Sequence, residues 1–172
     1  MAADRRTNPP PRIGPVCCEP MDEASVIRYI AQTYPDTDVV SAANATFFSC
    51  DPEKHWPNFA TIVTTDEHDV APNLDRPSRL DRPGTYRLNI GVSKATFDAA
   101  VGSMSDPDYA AIDRLMPHPV YALQHWVCIL NPSDVTFDDV VKPLLDEAHE
   151  RVARASRKVA ATDTRRGERE LV

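Results

Sequence analysis

Apolar positions along this chain recur first at a helical spacing and then at a period of two. From Met21, the run MDEASVIRYIAQTYP sets Val26, Ile27, Ile30, Ala31 and Tyr34 on one helical stripe. Asp22 stands where an N-cap belongs, Glu23 favours the first turn, and Pro35 stops the helix. Strand-like runs follow at 45–50 (ATFFSC), closed by Asp51-Pro52, and at 59–65 (FATIVTT). The cleanest alternation is 85–92 (TYRLNIGV), with Tyr86, Leu88, Ile90 and Val92 on one face and Arg87, Asn89 and Gly91 on the other. Between these last two runs lies a polar loop, 66–84, stiffened by Pro72, Pro77 and Pro83.

Ser93 then caps a short helix, KATFDAAV, which Gly102 ends. Residues 108–116 have the pattern of one or two helical turns, and Pro117-His118-Pro119 that of an extended connector. Residues 125–130 (HWVCIL) read as a strand closed by Asn131-Pro132. A last helix starts near Ser133 or Thr136 and must kink or restart at Pro143, because an interior proline costs about 3 kcal/mol. This order predicts an α+β fold: a single antiparallel sheet with the N- and C-terminal helices packed on one face.

The facing of the sheet follows from its charged position. Burying an unpartnered Arg87 would cost several kcal/mol, so Tyr86, Leu88, Ile90 and Val92 are expected under the helices, against Val26, Ile27 and Ile30 and against Leu144, Leu145 and Val152. Arg87 and Asn89 are then expected on an uncovered face. Arg87→Leu should leave folding intact while weakening any partner there, whereas Leu88→Asp should unfold the domain. In 125–130, His125 is the polar member of one alternating set, which places Trp126, Cys128 and Leu130 toward the helices.

Composition changes this picture mainly at the ends. Sixteen prolines against five glycines speak for loops and short elements rather than a long bundle. Residues 1–20 contain five prolines and no apolar period, and read as a disordered leader, with Met21 as the start of structure. Residues 156–172 read as a frayed polar tail, which leaves 21–155 as a single domain. No run approaches the roughly 20 apolar residues a membrane helix needs, and no signal-peptide h-region is present. Cys17, Cys18, Cys50 and Cys128 have neither zinc-knuckle nor disulfide-framework spacing, so reduced thiols and a cytoplasmic location are expected. The ends carry +1 and +2 of a total of −7, so residues 21–155 carry −10. Such a body repels phosphate and makes DNA binding unlikely.

Several groups invite a chemical reading. Gly91-Val92-Ser93-Lys94-Ala95 sits between a strand and a helix, as a nucleophile elbow does, and Asp134 and His149 follow in hydrolase order. Against that, no oxyanion segment is present, and an N-cap role explains Ser93. Asp66-Glu67-His68-Asp69 offers metal-ligand types, but consecutive side chains diverge, so a solvated turn is the simpler reading. His118 and His125 lack a third ligand, and a histidine between two prolines is equally explained by a fixed loop. Asp146, Glu147 and Glu150 form an acidic helix face. Phosphate-cradling motifs are absent, and no cofactor is implied. Arg87 and Asn89, with Lys94 just past the strand end, could bind a partner or a small anion on an uncovered sheet face.

The stretches LDRPGTYRLNIGVSKATF and LDRLMPHPVYALQHWVCILNPS resemble a bacterial family of domains of unknown function, over about 21–154. More distantly the pattern is similar to MmcQ/YjbR-like domains, where a lysine follows a strand (here Lys94) and a Pro-x-x-Tyr-type linker (Pro117 to Tyr121) precedes a Trp-led strand (here Trp126). That resemblance implies a frataxin-like architecture, and for some relatives a double-wing mode of DNA binding. The leading reading is a non-enzymatic binding module for an unknown protein or small anionic ligand. It would use the open sheet face or the 66–84 loop, with Arg87, Asn89, Lys94, His118 and Tyr121 as its contact residues. The alternatives are a serine hydrolase centred on Ser93 and double-wing DNA binding.

Overall fold

The computed structural model describes residues 20–51, 53, 55–69 and 77–169, with side chains described as far as 158. Helix α1 (Glu23–Thr33) starts where Asp22 Oδ1 accepts the Ser25 amide at 2.6 Å, an N-cap of the expected kind. Six strands follow: β1 (Asp38–Ala42), β2 (Ala45–Ser49), β3 (Asn58–Val63), β4 (Arg87–Gly91), β5 (Met116–Pro117) and β6 (Trp126–Leu130). They form one sheet in the order β1-β2-β3-β4-β6-β5, and each neighbouring pair is antiparallel. Helix α2 (Lys94–Ala100) follows β4, and the short α3 (Asp134–Thr136) follows β6. A π turn over Phe137–Val141 then leads into α4 (Lys142–Arg169). The π turn is how Pro143 is accommodated: proline has no N–H for the carbonyl four residues back, and a wider turn relieves its clash there.

The sheet faces as the alternation of β4 requires. Tyr86, Leu88, Ile90 and Val92 join Val26, Ile30, Leu144, Leu145 and Val152 in the main core between sheet and helices. Burying each large aliphatic stabilises by roughly 1.5–3 kcal/mol. Strand β6 is set the other way from expectation. Its register pairs Leu88 with Ile129 and Ile90 with Val127, and cross-strand partners share a face. Val127 and Ile129 therefore lie under the helices, while Cys128 and Leu130 join Ala45, Val63, Leu80 and Met116 in a second cluster. His125 did not decide the facing because it lies outside the strand, in the left-handed region at φ 62°.

That second cluster overturns the expectation of an uncovered face. The described parts of the expected 66–84 loop, 66–69 and 77–84, are joined by Asp66, whose carboxylate accepts the amides of Ser78 (3.1 Å) and Leu80 (2.8 Å), and they bring Leu80 onto this face of the sheet. The segment from 104 to 124 covers the neighbouring part, seating Met116 fully buried against β6. Helix α4 runs to Arg169, through most of the segment expected to fray from 156 onward, where Ala, Arg, Lys and Glu are good helix formers. Among its described side chains, Val152 and Ala153 are the last that are buried. The expected leader lies outside the described residues apart from Pro20, which bridges to Ser133. No described helix is long and apolar enough to cross a membrane.

Candidate functional site

On the face away from the helices, the registers align a polar and apolar row across the sheet: Phe47, Thr61, Asn89 and Cys128 on successive neighbours. The adjacent row is Ala45, Val63, Arg87 and Leu130. Above them lies a cavity of about 510 Å³, within the range of small-ligand sites. Its walls are aromatic, from Phe47, Trp56, Tyr121 and Trp126. Its floor is polar, from Thr61, Asp69, Arg87, Asn89 and His118. Trp56 and Tyr121 are exposed at the rim, and Leu123 beside Tyr121 is 91% exposed.

The floor is a connected network. Arg87, 1% exposed, donates from Nη1 to Asp69 Oδ2 (2.6 Å) and from Nη2 to Asp69 Oδ1 (2.7 Å). It also donates from Nη1 to Ser78 Oγ (2.7 Å) and from Nε to Asn89 Oδ1 (2.9 Å). A guanidinium can only donate, so the Asn89 atom facing it is oxygen and the amide nitrogen points to Thr61, whose Oγ1 accepts at 3.0 Å. The charge of Arg87 is thus met by Asp69, and the expected anion patch is not there: this arginine is an internal anchor joining the loop to the sheet.

His118 is set by its backbone. Its Nδ1 faces the amides of Val120 (3.0 Å) and Tyr121 (3.1 Å), so the ring fixes the turn after Pro119, and it packs against the Tyr121 ring with centroids 4.9 Å apart. Burial first, and then the Arg87 charge, push its pKa down to about 3, and the ring is neutral. Cys128, behind Asn89 in the row, is pushed up to about 12, chiefly by burial.

Of the sequence-predicted contact residues, Arg87, Asn89, His118 and Tyr121 come together here. Lys94 does not. It heads α2 as an exposed ion pair with Asp98 at 2.5 Å. Ser93 caps α2, accepting the Thr96 amide at 3.2 Å, while its own amide is held by Glu147 Oε1 at 2.9 Å. His149 is not its base: the imidazole stacks on Tyr34 at 4.6 Å. Asp134 opens α3. The Asp66–Asp69 run is a 3₁₀ turn over Asp66–His68 rather than an extended segment, and its side chains still part: Asp66 holds the loop, Asp69 meets Arg87, and His68 Nε2 lies 2.8 Å from the Ala43 carbonyl. His125 packs against Phe97 rather than beside His118. The acidic helix face is likewise engaged residue by residue, with Asp146 accepting from Tyr34, Glu147 from Ser93 and Glu150 from Arg154. Among the described residues, no group of three His, Cys, Asp or Glu side chains could hold a metal ion.

Sequence reasoning missed Ser78 and Thr61, and it read Asp69 as part of a solvated turn rather than as the partner of Arg87. Only for Thr61 was a signal available, since it falls on the polar side of β3, opposite Asn89. Apart from Tyr121, the aromatic wall was equally unmarked, because Trp56 lies in no strand and Phe47 and Trp126 depend on register.

The chain belongs to a family of unknown function (DUF6194), whose model matches residues 21–161. No curated protein and no solved structure matches it.

Proposed function

We propose that this member of the family is a non-enzymatic binding domain that takes a small organic molecule into the aromatic-walled cavity on the sheet face away from the helices. The observation that carries this reading is the cavity's composition: apolar rings on the walls and a few fixed polar groups on the floor, the usual make-up of a ligand site. The rigid sheet beneath, with Arg87 and Asn89 locked by hydrogen bonds, supplies a preorganised base. The Ser93 hydrolase is disfavoured by the engagement of Ser93 as a helix cap. DNA binding is disfavoured by the −10 body and by the pairing of Arg87 with Asp69. Relationship to the MmcQ/YjbR-like domains rests on Lys94, the Pro117–Tyr121 linker and Trp126, and of these Lys94 stands apart from the cavity.

A fragment screen read by amide and indole NMR shifts tests the proposal. Binders are expected to move the Thr61, Asn89 and Tyr121 amides and the Trp56 and Trp126 indole N–H signals together. Hits that shift only residues elsewhere, or a library that leaves all five signals in place, would overturn it.

A further inference from the structure

The hydrogen-bond polarity of the cavity floor specifies what a ligand must present. His118 Nδ1 lies 3.0 and 3.1 Å from two backbone N–H groups, which can only donate, so Nδ1 is an acceptor. In the neutral ring the proton is then on Nε2. That Nε2 stands 3.5 Å from Arg87 Nη2, which also can only donate. The contact is therefore not a hydrogen bond but two N–H donors facing one another. The opposite tautomer would make one long bond at 3.5 Å and turn two short ones into clashes of donors, so it loses. One N–H of Arg87 Nη2 is taken by Asp69, while its second hydrogen and the His118 Nε2–H have no acceptor among the described residues. Both side chains are nearly inaccessible, at 1% and 3%, and both line the cavity. Leaving such donors without an acceptor is destabilising.

We infer that the cavity binds a flat, uncharged molecule whose carbonyl-type oxygen sits between Arg87 Nη2 and His118 Nε2 and accepts from both. This rests on the reading of the cavity as a ligand site and names the chemistry that site selects. An oxygen at ordinary hydrogen-bond distance from two nitrogens 3.5 Å apart is geometrically easy. A carbonyl oxygen has two lone pairs and no hydrogen of its own to satisfy, whereas a hydroxyl would bring a third donor to the same spot. A carboxylate would place a second anion beside Asp69 against a single guanidinium, with His118 neutral, and so would bury a net charge. Thr61 extends the pattern: its Oγ1 accepts from Asn89, leaving its own hydrogen to donate. Flatness follows from the walls, where Trp56, Trp126 and Tyr121 offer ring faces and edges.

The test has two arms on the full chain. Long-range ¹H–¹⁵N correlation of the free protein should show His118 with an unprotonated Nδ1 and a protonated Nε2 at neutral pH. The reverse tautomer, or a charged ring, overturns the inference. In the second arm, 1-indanone, indane, indane-1-carboxylate and 1-aminoindane are titrated by NMR as probes sharing one ring skeleton. Indanone should bind about tenfold more tightly than indane, with the two charged probes weaker than indanone. His118→Asn keeps an acceptor for the two backbone amides but removes the inward donor, and within that variant indanone should lose its advantage over indane. Equal binding of all four probes at the cavity signals overturns the donor assignment while leaving the cavity a ligand site. A preference for the carboxylate or the amine also overturns the donor assignment. No shift at the cavity with any probe overturns both readings. Should His118→Asn fail to fold, the tautomer and the probe ranking still decide.

Discussion

Arg87 and Asp69 meet end-on inside the protein, Nη1 to Oδ2 at 2.6 Å and Nη2 to Oδ1 at 2.7 Å, with each side chain 1% exposed. The pair ties the loop after β3 to the centre of the sheet and closes one side of the cavity. A buried pair of this kind contributes little net stability over an apolar pair of the same volume, but breaking it leaves a charge stranded.

Arg87→Leu is therefore expected to lose about 3–5 kcal/mol, as is Asp69→Leu, while the double variant loses much less than the two combined. This reverses the sequence-based expectation that Arg87→Leu leaves folding intact. Urea melts of the four proteins measure the cycle. A single variant within about 1 kcal/mol of the parent would show that the pair is not desolvated in solution.

Ser93 should behave as a cap and nothing more. Its hydroxyl accepts the Thr96 amide at 3.2 Å, so Ser93→Ala should cost about 1 kcal/mol in a denaturant melt. A fluorophosphonate probe should leave the parent protein unlabelled, and labelling that disappears in the Ser93→Ala variant would restore the hydrolase.

How far the fold could be read depended on where one residue type decided the question. The alternation in β4 had one large cation in it, and that cation settled the facing of the whole strand. In β6 both faces are apolar, so facing was set by pairing with β4, which is a property of the sheet rather than of the strand. Strand β1 carried no clear period, and its turn to β2 uses Ala43 and Asn44 at φ 51° and 62°, a primed hairpin in which alanine is an unusual member. For the site, four of the contact residues were legible because they are polar near a strand or a fixed linker. What was not legible was their environment. The partner of Arg87 lies 18 positions away, in a loop whose path no local pattern specifies, so a polar residue that reads as facing solvent is in fact an internal anchor.

Gly91 lies directly beneath the Trp126 wall of the cavity. A Cβ there would lie 3.1 Å from the Trp126 indole and 3.3 Å from Arg151 Nη2, which itself holds the Gly91 carbonyl at 2.7 Å. The indole must move by a few tenths of an ångström to admit a methyl group, so Gly91→Ala should fold while displacing one wall of the cavity. In a Trp56→Phe background, where Trp126 is the remaining indole, the variant should shift the tryptophan emission and weaken indanone binding several-fold. Unchanged emission and affinity would mean that Trp126 does not shape the site.

The protonation of His118 predicts a pH dependence with a definite sign. In the unfolded chain the imidazole titrates near 6.5, and in the folded protein near 3, so between these values the unfolded state binds the extra proton. Stability should therefore fall as pH drops from about 6.5 toward 3, by up to about 1.4 kcal/mol per pH unit from this group, and this group adds no slope above that window. Arg87 faces the ring and opposes its protonation, Asp69 is already engaged by Arg87, and His68 and Tyr121 line the same cavity. His149, also depressed mainly by burial, contributes with the same sign below pH 6.5. Asp22, lowered by the hydrogen bonds it accepts from Ser25, and Glu147, where burial raises the pKa but the hydrogen bonds from Ser93 and Thr96 and the Arg151 charge together outweigh it, add losses only as pH falls below their unfolded values near 4. The comparison of parent with His118→Asn removes these shared contributions. Asparagine keeps an oxygen for the Val120 and Tyr121 amides but carries no proton that titrates in this range. Urea midpoints measured from pH 7 down to 4.5 should decline more steeply for the parent than for the variant. Parallel declines would mean that His118 accepts a proton freely in the folded state, and that the cavity is open enough to water to hydrate the imidazolium beside Arg87.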